Sequence, residues 1–178
     1  VTADVNGAAS IIDGYYCAAG WAGKANDTPA NSPFSRTTIA GYTGIKYSNG
    51  YFSKSQLDRI AGGGTWITVQ PSQNTPLQCR HQLSTDVSSV EKREFSITRV
   101  VDYVAKYFRI ALAKQVGNFN ITQAYLDALA TSIQGLCKSL QEAGMVIDAK
   151  LVSIAVNTTS PDKIDVVIAI DVPYPANY

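Results

Sequence analysis

The sequence predicts an α+β protein in which two long helices pack on one face of a mainly antiparallel or mixed sheet. Two stretches, 97–112 and 126–140, place apolar side chains three and four residues apart, as an amphipathic helix does. A third stretch, 164–172, alternates apolar and other residues like a half-buried strand. Because strand patterns precede and follow the pair of helices, we expect the helices on one side of the sheet.

Length and charge narrow the class of protein. A chain of 178 residues can bury one sizeable core. We therefore expect a single domain over 1–178, with a loop-rich part at 1–50 and a helix, hairpin, two-helix, hairpin core at 51–178. The 15 basic and 14 acidic residues leave a net charge of +1, so neither nucleic acid nor a membrane is an expected partner.

The N-terminal part is rich in small and turn-forming residues. A short helix is expected within 6–22, although Gly14 and Gly20 would each weaken it by about 1 kcal/mol. The stretch 24–50 is dense in Asn, Asp, Pro, Ser, Gly and Thr, which favour turns. It is expected to form a long surface loop with a short strand near 37–40.

The next elements are a short helix, a hairpin and the first long helix. Ser53 caps the short helix, and three consecutive glycines, 62–64, end it. The β-branched stretch 65–69 is expected to pair with 77–83. The polar segment Arg80-His81-Gln82-Leu83-Ser84-Thr85-Asp86 then leads into the long helix. Its apolar face is formed by Ile97, Val100, Val101, Val104, Tyr107, Phe108, Ala111 and Leu112.

A second helix and a second hairpin complete the pattern. Gly117 ends the first long helix, and Asn120 or Thr122 caps the second. The apolar side of that second helix consists of Leu126, Leu129, Ile133, Leu136, Cys137 and Leu140. After Gly144, strands are expected at 145–156 and 163–172 around the turn 157–162. The chain begins at Val1 and stops soon after this strand, so we expect a fragment of a longer chain.

Residues that could carry chemistry are few. His81 is the only histidine, and Cys79, Ser84 and Asp86 are the candidate partners near it in the sequence. We favour a local structural role for them, because side chains of this kind bond to nearby backbone at strand ends. One histidine rules out a multi-histidine metal site. We expect that the protein is not an enzyme and that it binds neither a metal ion nor a cofactor.

Other motifs have structural interpretations as well. The glycines at 62–64 precede a strand, whereas a phosphate loop follows one. The carboxylates of Asp165 and Asp171 lie roughly 20 Å apart at about 3.3 Å per residue, too far for an acid and base pair. Cys17, Cys79 and Cys137 are widely spaced and are expected to be small buried residues.

The order of these elements resembles the carboxy-terminal part of contractile phage tail sheath proteins. The resemblance rests on the Gly62-Gly63-Gly64 turn, a strand, the segment 80–86, and then Thr98-Arg99-Val100-Val101-Asp102-Tyr103-Val104. The turn Ser160-Pro161-Asp162, the last strand and the 29–40 loop agree with it, so that it spans residues 10–172. The amino-terminal and outer domains of a whole sheath protein, and its final strand, are absent here.

The resemblance implies a structural subunit domain that polymerises around a tail tube and contracts to drive the tube through the host envelope. The implied partners are other sheath subunits, joined by strand addition at sheet edges, and the tail tube protein. The implied location is the virion tail, assembled in the host cytoplasm. Proteins of contractile injection systems share this domain.

Two further expectations concern surfaces. The polar side of the first long helix carries a basic excess in a nearly neutral chain, and we expect it to contact the tube or a neighbouring subunit. Its basic residues are Arg99, Lys106, Arg109 and Lys114. The alternative to a sheath function is a small-molecule or peptide binding module that uses the Tyr-rich loops 31–51, with Tyr42, Tyr47 and Tyr51.

Overall fold

The chain forms two compact units in a computed structural model, which describes residues 1–5, 8–45, 52–72, 75–115 and 117–176. Unit 1 comprises Val1–Thr98 and Pro175–Tyr178, and unit 2 comprises Arg99–Tyr174. The boundary between them falls within one continuous helix. The expectation of a single domain over 1–178 stays a prediction.

Unit 1 begins with a strand pair that the sequence analysis missed. Strand β1 (Thr2–Val5) runs antiparallel to β2 (Ala8–Ile11), and Val5 pairs with Ala8. This register leaves a two-residue connection, and its sequence, Asn-Gly, is a strong signal for a short hairpin loop. The prediction of a helix within 6–22 was therefore wrong at its start.

Helix α1 (Gly14–Asp27) also extends further than expected, through the first residues assigned to the long loop. Its Gly20 has a packing role, because a Cβ atom there would lie 2.6 Å from the hydroxyl of Tyr42. The cost of glycine in a helix is thus offset by close contact with the loop beside α1.

A small antiparallel sheet lies at the centre of unit 1. Strand β3 (Thr38–Ile39) precedes helix α2 (Lys54–Gly62), which is followed by β4 (Thr68–Val69) and β5 (Leu77–Cys79). The strand order is β3–β5–β4. The expected hairpin and the expected strand near 37–40 are confirmed, with shorter bounds.

An aromatic cluster forms the core beside this sheet. Trp66 lies 5.5 Å from Trp21, 5.8 Å from Phe34 and 5.4 Å from Phe95, measured between ring centroids. The indole Nε1 of Trp21 donates to Thr68 Oγ1 at 2.8 Å. Large rings of this kind contribute much of the buried apolar area of a small core.

The capping predicted for α2 is confirmed. The Ser53 hydroxyl accepts from the Gln56 backbone N–H while the Gln56 side chain accepts from the Ser53 N–H, which is a capping box. At the other end, Gly64 has a φ of 77°, and a Cβ there would lie 2.7 Å from the carbonyl oxygen of Ser84. The last glycine of the run therefore allows segment 80–86 to pass close to the end of α2.

A buried amide joins three parts of unit 1. The Gln82 side chain accepts from the Phe34 backbone N–H and donates to the Ser96 hydroxyl, both at 2.8 Å, and is fully buried. The Gln82 carbonyl also accepts from the Phe95 N–H at 2.9 Å. Residue 82 thereby connects the loop before β3 to the start of the first long helix.

The first long helix, α4, follows a short helix that the sequence analysis did not anticipate, α3 (Val90–Arg93). Helix α4 spans Phe95–Leu112. Of its predicted apolar face, Ile97, Val100, Val104 and Phe108 are buried. Val101 is 44% exposed, so its assignment to the buried face was wrong. Positions 97, 100, 104 and 108 follow one another at steps of three or four residues and form the buried stripe. Position 101 lies at the edge of this stripe.

Unit 2 continues with a 3₁₀ turn, Ala113–Gln115, and helix α5 (Gln123–Glu142), which Thr122 caps through its side chain. Strands β6 (Asp148–Val156) and β7 (Ile164–Asp171) form an antiparallel hairpin with an irregularity between Leu151 and Ser153. Helix α5 packs on β6. Four of the six residues predicted for the apolar side of α5 are buried, namely Leu129, Ile133, Cys137 and Leu140. Leu126 and Leu136 are half-buried.

The α+β class and the antiparallel pairing are confirmed. The described strands belong to three separate sheets of two, three and two strands, rather than to one larger sheet. Strands of two or three residues in unit 1 are too short to extend a common sheet.

Replacing Gly64 with alanine is expected to destabilise the protein. A left-handed backbone costs an alanine roughly 1–2 kcal/mol, and the close Ser84 carbonyl adds a clash. Urea unfolding of the chain measures this loss. The control is Gly62→Ala, where no heavy atom lies within 4 Å of the added Cβ. It should be neutral or stabilising by up to about 1 kcal/mol. An equal loss in both variants would contradict the role given to Gly64.

Replacing Gln82 with leucine should lower the free energy of unfolding by roughly 2–4 kcal/mol, because the Phe34 N–H and the Ser96 hydroxyl lose their buried partner. The control is Gln134→Leu on the exposed side of α5, which should change stability by less than about 0.5 kcal/mol. Urea unfolding of both variants tests the difference, and similar midpoints would refute it.

Candidate functional site

The candidate catalytic cluster around His81 is held in other interactions. The Nε2 atom of His81 lies 2.9 Å from Oε1 of Glu94, whose side chain is fully buried. Glu94 also lies 3.5 Å from the guanidinium of Arg93. Glu94 was not predicted as the partner of His81, since it lies 13 positions along the chain and no spacing rule connects the two.

Ser84 and Asp86 bond to their own neighbourhood. The Ser84 hydroxyl donates to the Lys92 carbonyl and accepts from the Asp86 N–H, and the Ser84 N–H donates to the Arg93 carbonyl at 2.7 Å. Asp86 accepts from the Ser88 hydroxyl and backbone N–H, which lower the pKa of its carboxyl. These contacts are those of a structural strand end, as the sequence analysis favoured.

The thiols are buried, as predicted. All three cysteines are free and buried. Burial raises the pKa of Cys79 to about 12 and also raises that of Cys137. A protonated thiol is a poor nucleophile, so Cys79 is not activated. Among the residues that the structure describes, no group of three or more His, Cys, Asp or Glu side chains is placed to hold a metal ion.

A concave site in unit 1 gathers basic side chains instead. A cavity of about 520 Å³ is lined by Arg36, Asp58, Arg80 and His81, among others. Arg80 forms an ion pair with Asp58 through Nη2. The residues come from the loop before β3, from α2 and from segment 80–86, which leaves β5. We refer to this site, defined by Arg36, Asp58, Arg80 and His81, as the basic cavity.

The predicted contact residues on α4 are only partly brought together. Lys106 and Arg109 are exposed and three residues apart, hence on one helix surface. Arg99 is partly buried, and burial lowers the pKa of its guanidinium. Lys114 lies in the 3₁₀ turn beyond the helix. The pair Lys106 and Arg109 is therefore the part of the predicted set that forms one exposed basic surface.

This surface also has apolar character that the charge pattern alone did not indicate. Tyr103 and Ile110 are exposed on α4 by 43% and 65%. By helical spacing both lie beside Lys106. Tyr103 stacks on Tyr107 with 6.3 Å between ring centroids. Tyrosine and arginine are enriched at protein interfaces whereas lysine is depleted, so Tyr103 and Arg109 are the residues here that favour an interface. We call Tyr103, Lys106, Arg109 and Ile110 the α4 surface.

The tyrosines proposed for a binding loop give no support to that alternative. The hydroxyl of Tyr42 donates to the Tyr16 carbonyl at 2.6 Å, and burial raises the Tyr42 pKa. Its ring packs against the core of unit 1. Tyr47 and Tyr51 lie outside the described residues.

The β6–β7 hairpin has open edges. Within the described part of the chain, its two strands pair only with each other. The inward residues of β7 are Ile164, Val166, Ile168 and Ile170, as predicted, and each remains partly exposed. Asp148 and Asp171 face each other across the ladder, and both are exposed, as is Asp165. Like charges directly opposite each other destabilise a strand pair.

No helix within the described ranges is long and apolar enough to cross a membrane. No protein-family model matches the sequence, and no curated protein matches it. Its similarity to known proteins is therefore found in the fold.

Solved structures of sheath proteins match nearly the whole chain. A sheath tail protein from Desulfitobacterium hafniense matches 97% of this chain and 44% of its own, with a TM-score of 0.66 and 12% identity. A sheath tail protein from Listeria innocua matches 85% of this chain and 38% of its own, with the same TM-score and 13% identity.

Two structures of the anti-feeding prophage also match, both at 13% identity. The contracted helical sheath gives a TM-score of 0.71 over 91% of this chain and 47% of the matched chain. The baseplate structure gives a TM-score of 0.73 over 99% of this chain and 51% of the matched chain. This chain spans about half the length of the proteins it matches or less. The predicted resemblance is confirmed at the level of structure: the chain has the fold of contractile tail sheath proteins.

Proposed function

We propose that this chain is a structural subunit domain of a contractile tail sheath, which polymerises around a tail tube and contracts to drive the tube through the host envelope. The observation that carries the proposal is the match of 91% of the chain, at a TM-score of 0.71, to a contracted helical sheath. The four structures described above are of sheath tail proteins and of the helical sheath and baseplate of the anti-feeding prophage, which supports a structural role.

The open β6–β7 hairpin supports polymerisation. A two-stranded sheet is marginal by itself, and its unpaired backbone groups are a template for an added strand. We propose that segments of neighbouring subunits pair with these edges and cover the partly exposed apolar residues of β7. Such pairing keeps subunits connected while they rotate during contraction.

Contraction requires two arrangements of the same subunits. In the proposed mechanism the extended lattice stores free energy, which is released as contacts re-form in the contracted lattice. Contacts that must break and form again are best made of weak pairs. Exposed ion pairs, each contributing about 0–1 kcal/mol, have this property.

The α4 surface is proposed as one such contact, to the tail tube protein or an adjacent subunit. Lys106 and Arg109 supply the charge, and Tyr103 and Ile110 supply apolar area. Arg99 and Lys114 also belong to the predicted set. They are less suited to this contact, because Arg99 is partly buried and Lys114 lies beyond the end of α4.

Two further proposals follow from the same function. The protein would be located in the virion tail after assembly in the host cytoplasm. Residues 1–178 would act as a single sheath-type domain within a longer chain, so the two compact units should unfold together.

Assembly is expected to depend on segments beyond this sequence. The full-length gene product should form tubes or rings in negative-stain electron microscopy, whereas this 178-residue chain should stay dispersed, because its β6–β7 edges lack the added strands. Both should be imaged at the same concentration over a range of salt. Dispersed monomers from the full-length product under all conditions would contradict the sheath function.

Charge reversal on the α4 surface should impair assembly. The variant with Lys106→Glu and Arg109→Glu, made in the full-length product, is expected to reduce the yield of tubes or rings several-fold and to weaken its dependence on salt. The matched control is Lys54→Glu with Arg59→Glu, which changes net charge equally at exposed positions on α2. Normal assembly and contraction of the first variant would exclude the α4 surface as a contact.

A further inference from the structure

We propose that the basic cavity of unit 1 is a binding site for a carboxylate group. The cavity, of about 520 Å³, lies among the loop before β3, α2 and the end of β5. It is distinct from the α4 surface and from the β6–β7 edges. Carboxylate binding at this site does not depend on the sheath function.

The charge of the lining is the first argument. The described residues that line the cavity include the guanidinium groups of Arg36 and Arg80, the imidazole of His81 and one carboxylate, that of Asp58. The whole chain has a net charge of only +1, so this is a local concentration of basic groups. Basic side chains that converge on a concave site favour an anionic ligand.

The lining is also held in place before a ligand arrives. Asp58 fixes Arg80 through Nη2, while the buried carboxylate of Glu94 fixes His81 at 2.9 Å. A guanidinium has five N–H donors in a planar fork, more than one carboxylate can use. Arg80 is therefore oriented by Asp58 and retains donors for a second carboxylate. A site of this kind loses little entropy when the ligand binds.

The backbone of Arg36 supplies an independent argument. Its φ is 64°, and it is the non-glycine residue with a left-handed backbone among those the structure describes. The Arg36 N–H donates to the Cys79 carbonyl at 2.8 Å, and the Thr37 N–H donates to the Phe34 carbonyl, which hold this conformation. Glycine or asparagine would be less strained here. A strained arginine at the cavity is consistent with a role for its side chain.

The chemistry of the lining favours a carboxylate over a more highly charged anion. Asp58 lines the cavity and Glu94 lies directly behind His81, so both oppose a dianion such as phosphate. The planar fork of an arginine matches the two oxygens of a carboxylate. Two sources offer this group: a free small carboxylate, or an acidic side chain of a neighbouring protein chain.

The first arm of the test uses free ligands and this chain alone. N-acetylglycine is titrated by ¹H–¹⁵N NMR, following the backbone amides of Arg80 and His81, with the neutral N-acetylglycinamide as the matched probe. Saturable shifts are expected with the acid and not with the amide. Arg36→Gly should weaken binding of the acid at least tenfold. Its thermal midpoint should be no lower than that of the original chain, because glycine accepts the left-handed backbone.

Two further variants control for folding and for charge. Arg36→Asn also tolerates the left-handed backbone, and it should lose binding in the same way. Arg59→Ala removes an exposed positive charge from α2 at a position that does not line the cavity, and it should bind like the original chain.

The second arm, which rests on the proposed sheath function, compares the same variants in the full-length gene product by electron microscopy. Binding of N-acetylglycine with normal assembly of Arg36→Gly assigns the site to a free carboxylate. Loss of assembly in Arg36→Gly but not in Arg59→Ala assigns it to an acidic side chain of a neighbouring chain. The proposal is overturned if Arg36→Gly and Arg59→Ala behave alike both in binding of N-acetylglycine and in assembly. If the unaltered product does not assemble, the first arm alone decides it.

Discussion

The fold of unit 1 depends on the buried amide of Gln82. The strands of its three-stranded sheet have only two or three residues, so the ladder hydrogen bonds of that sheet define little of the structure. Gln82 adds bonds to the Phe34 N–H and the Ser96 hydroxyl, and its carbonyl accepts from Phe95. Phe34 and Phe95 belong to the aromatic cluster, so the polar network and the apolar core position the same residues. Removing the polar network of Gln82 would therefore displace residues of the aromatic cluster, and removing the cluster would displace partners of Gln82.

This constraint explains why segment 80–86 has the residue types of an active site without its chemistry. His81, Gln82 and Ser84 each bond to a residue between 92 and 96, which places β5 beside the start of α4. Polar groups buried at such a junction must be paired, since an unpaired one would cost about 1–3 kcal/mol. The fully buried groups here are Gln82 and Glu94, and His81 is the partner of Glu94. The side chains of His81 and Ser84 are therefore already engaged before any substrate is considered.

The sequence was sufficient to predict the elements that have long periodic patterns. The helices α4 and α5 and the strand β7 repeat the same environment over several turns or pleats, so the pattern determines the element. The strand pair β1–β2 was missed because its strands contain several alanines, which are depleted in strands, so that only the Asn-Gly between them indicates a hairpin. The pairing of His81 with Glu94 and the left-handed backbone of Arg36 depend on tertiary contacts, which the local sequence does not predict.

The features of unit 2 that are least favourable to an isolated chain are the ones an assembly would relieve. Its sheet has two strands, the apolar side of β7 stays partly exposed, and Asp148 faces Asp171 across the ladder. A protein that functioned alone would gain stability from a third strand and from separating these charges. In the proposed sheath function, neighbouring subunits would supply strands and counter-charges, so folding stability and lattice stability would be parts of one equilibrium. A hairpin that is incomplete in the subunit would then allow neighbours to join it by backbone pairing, which places few demands on side chains.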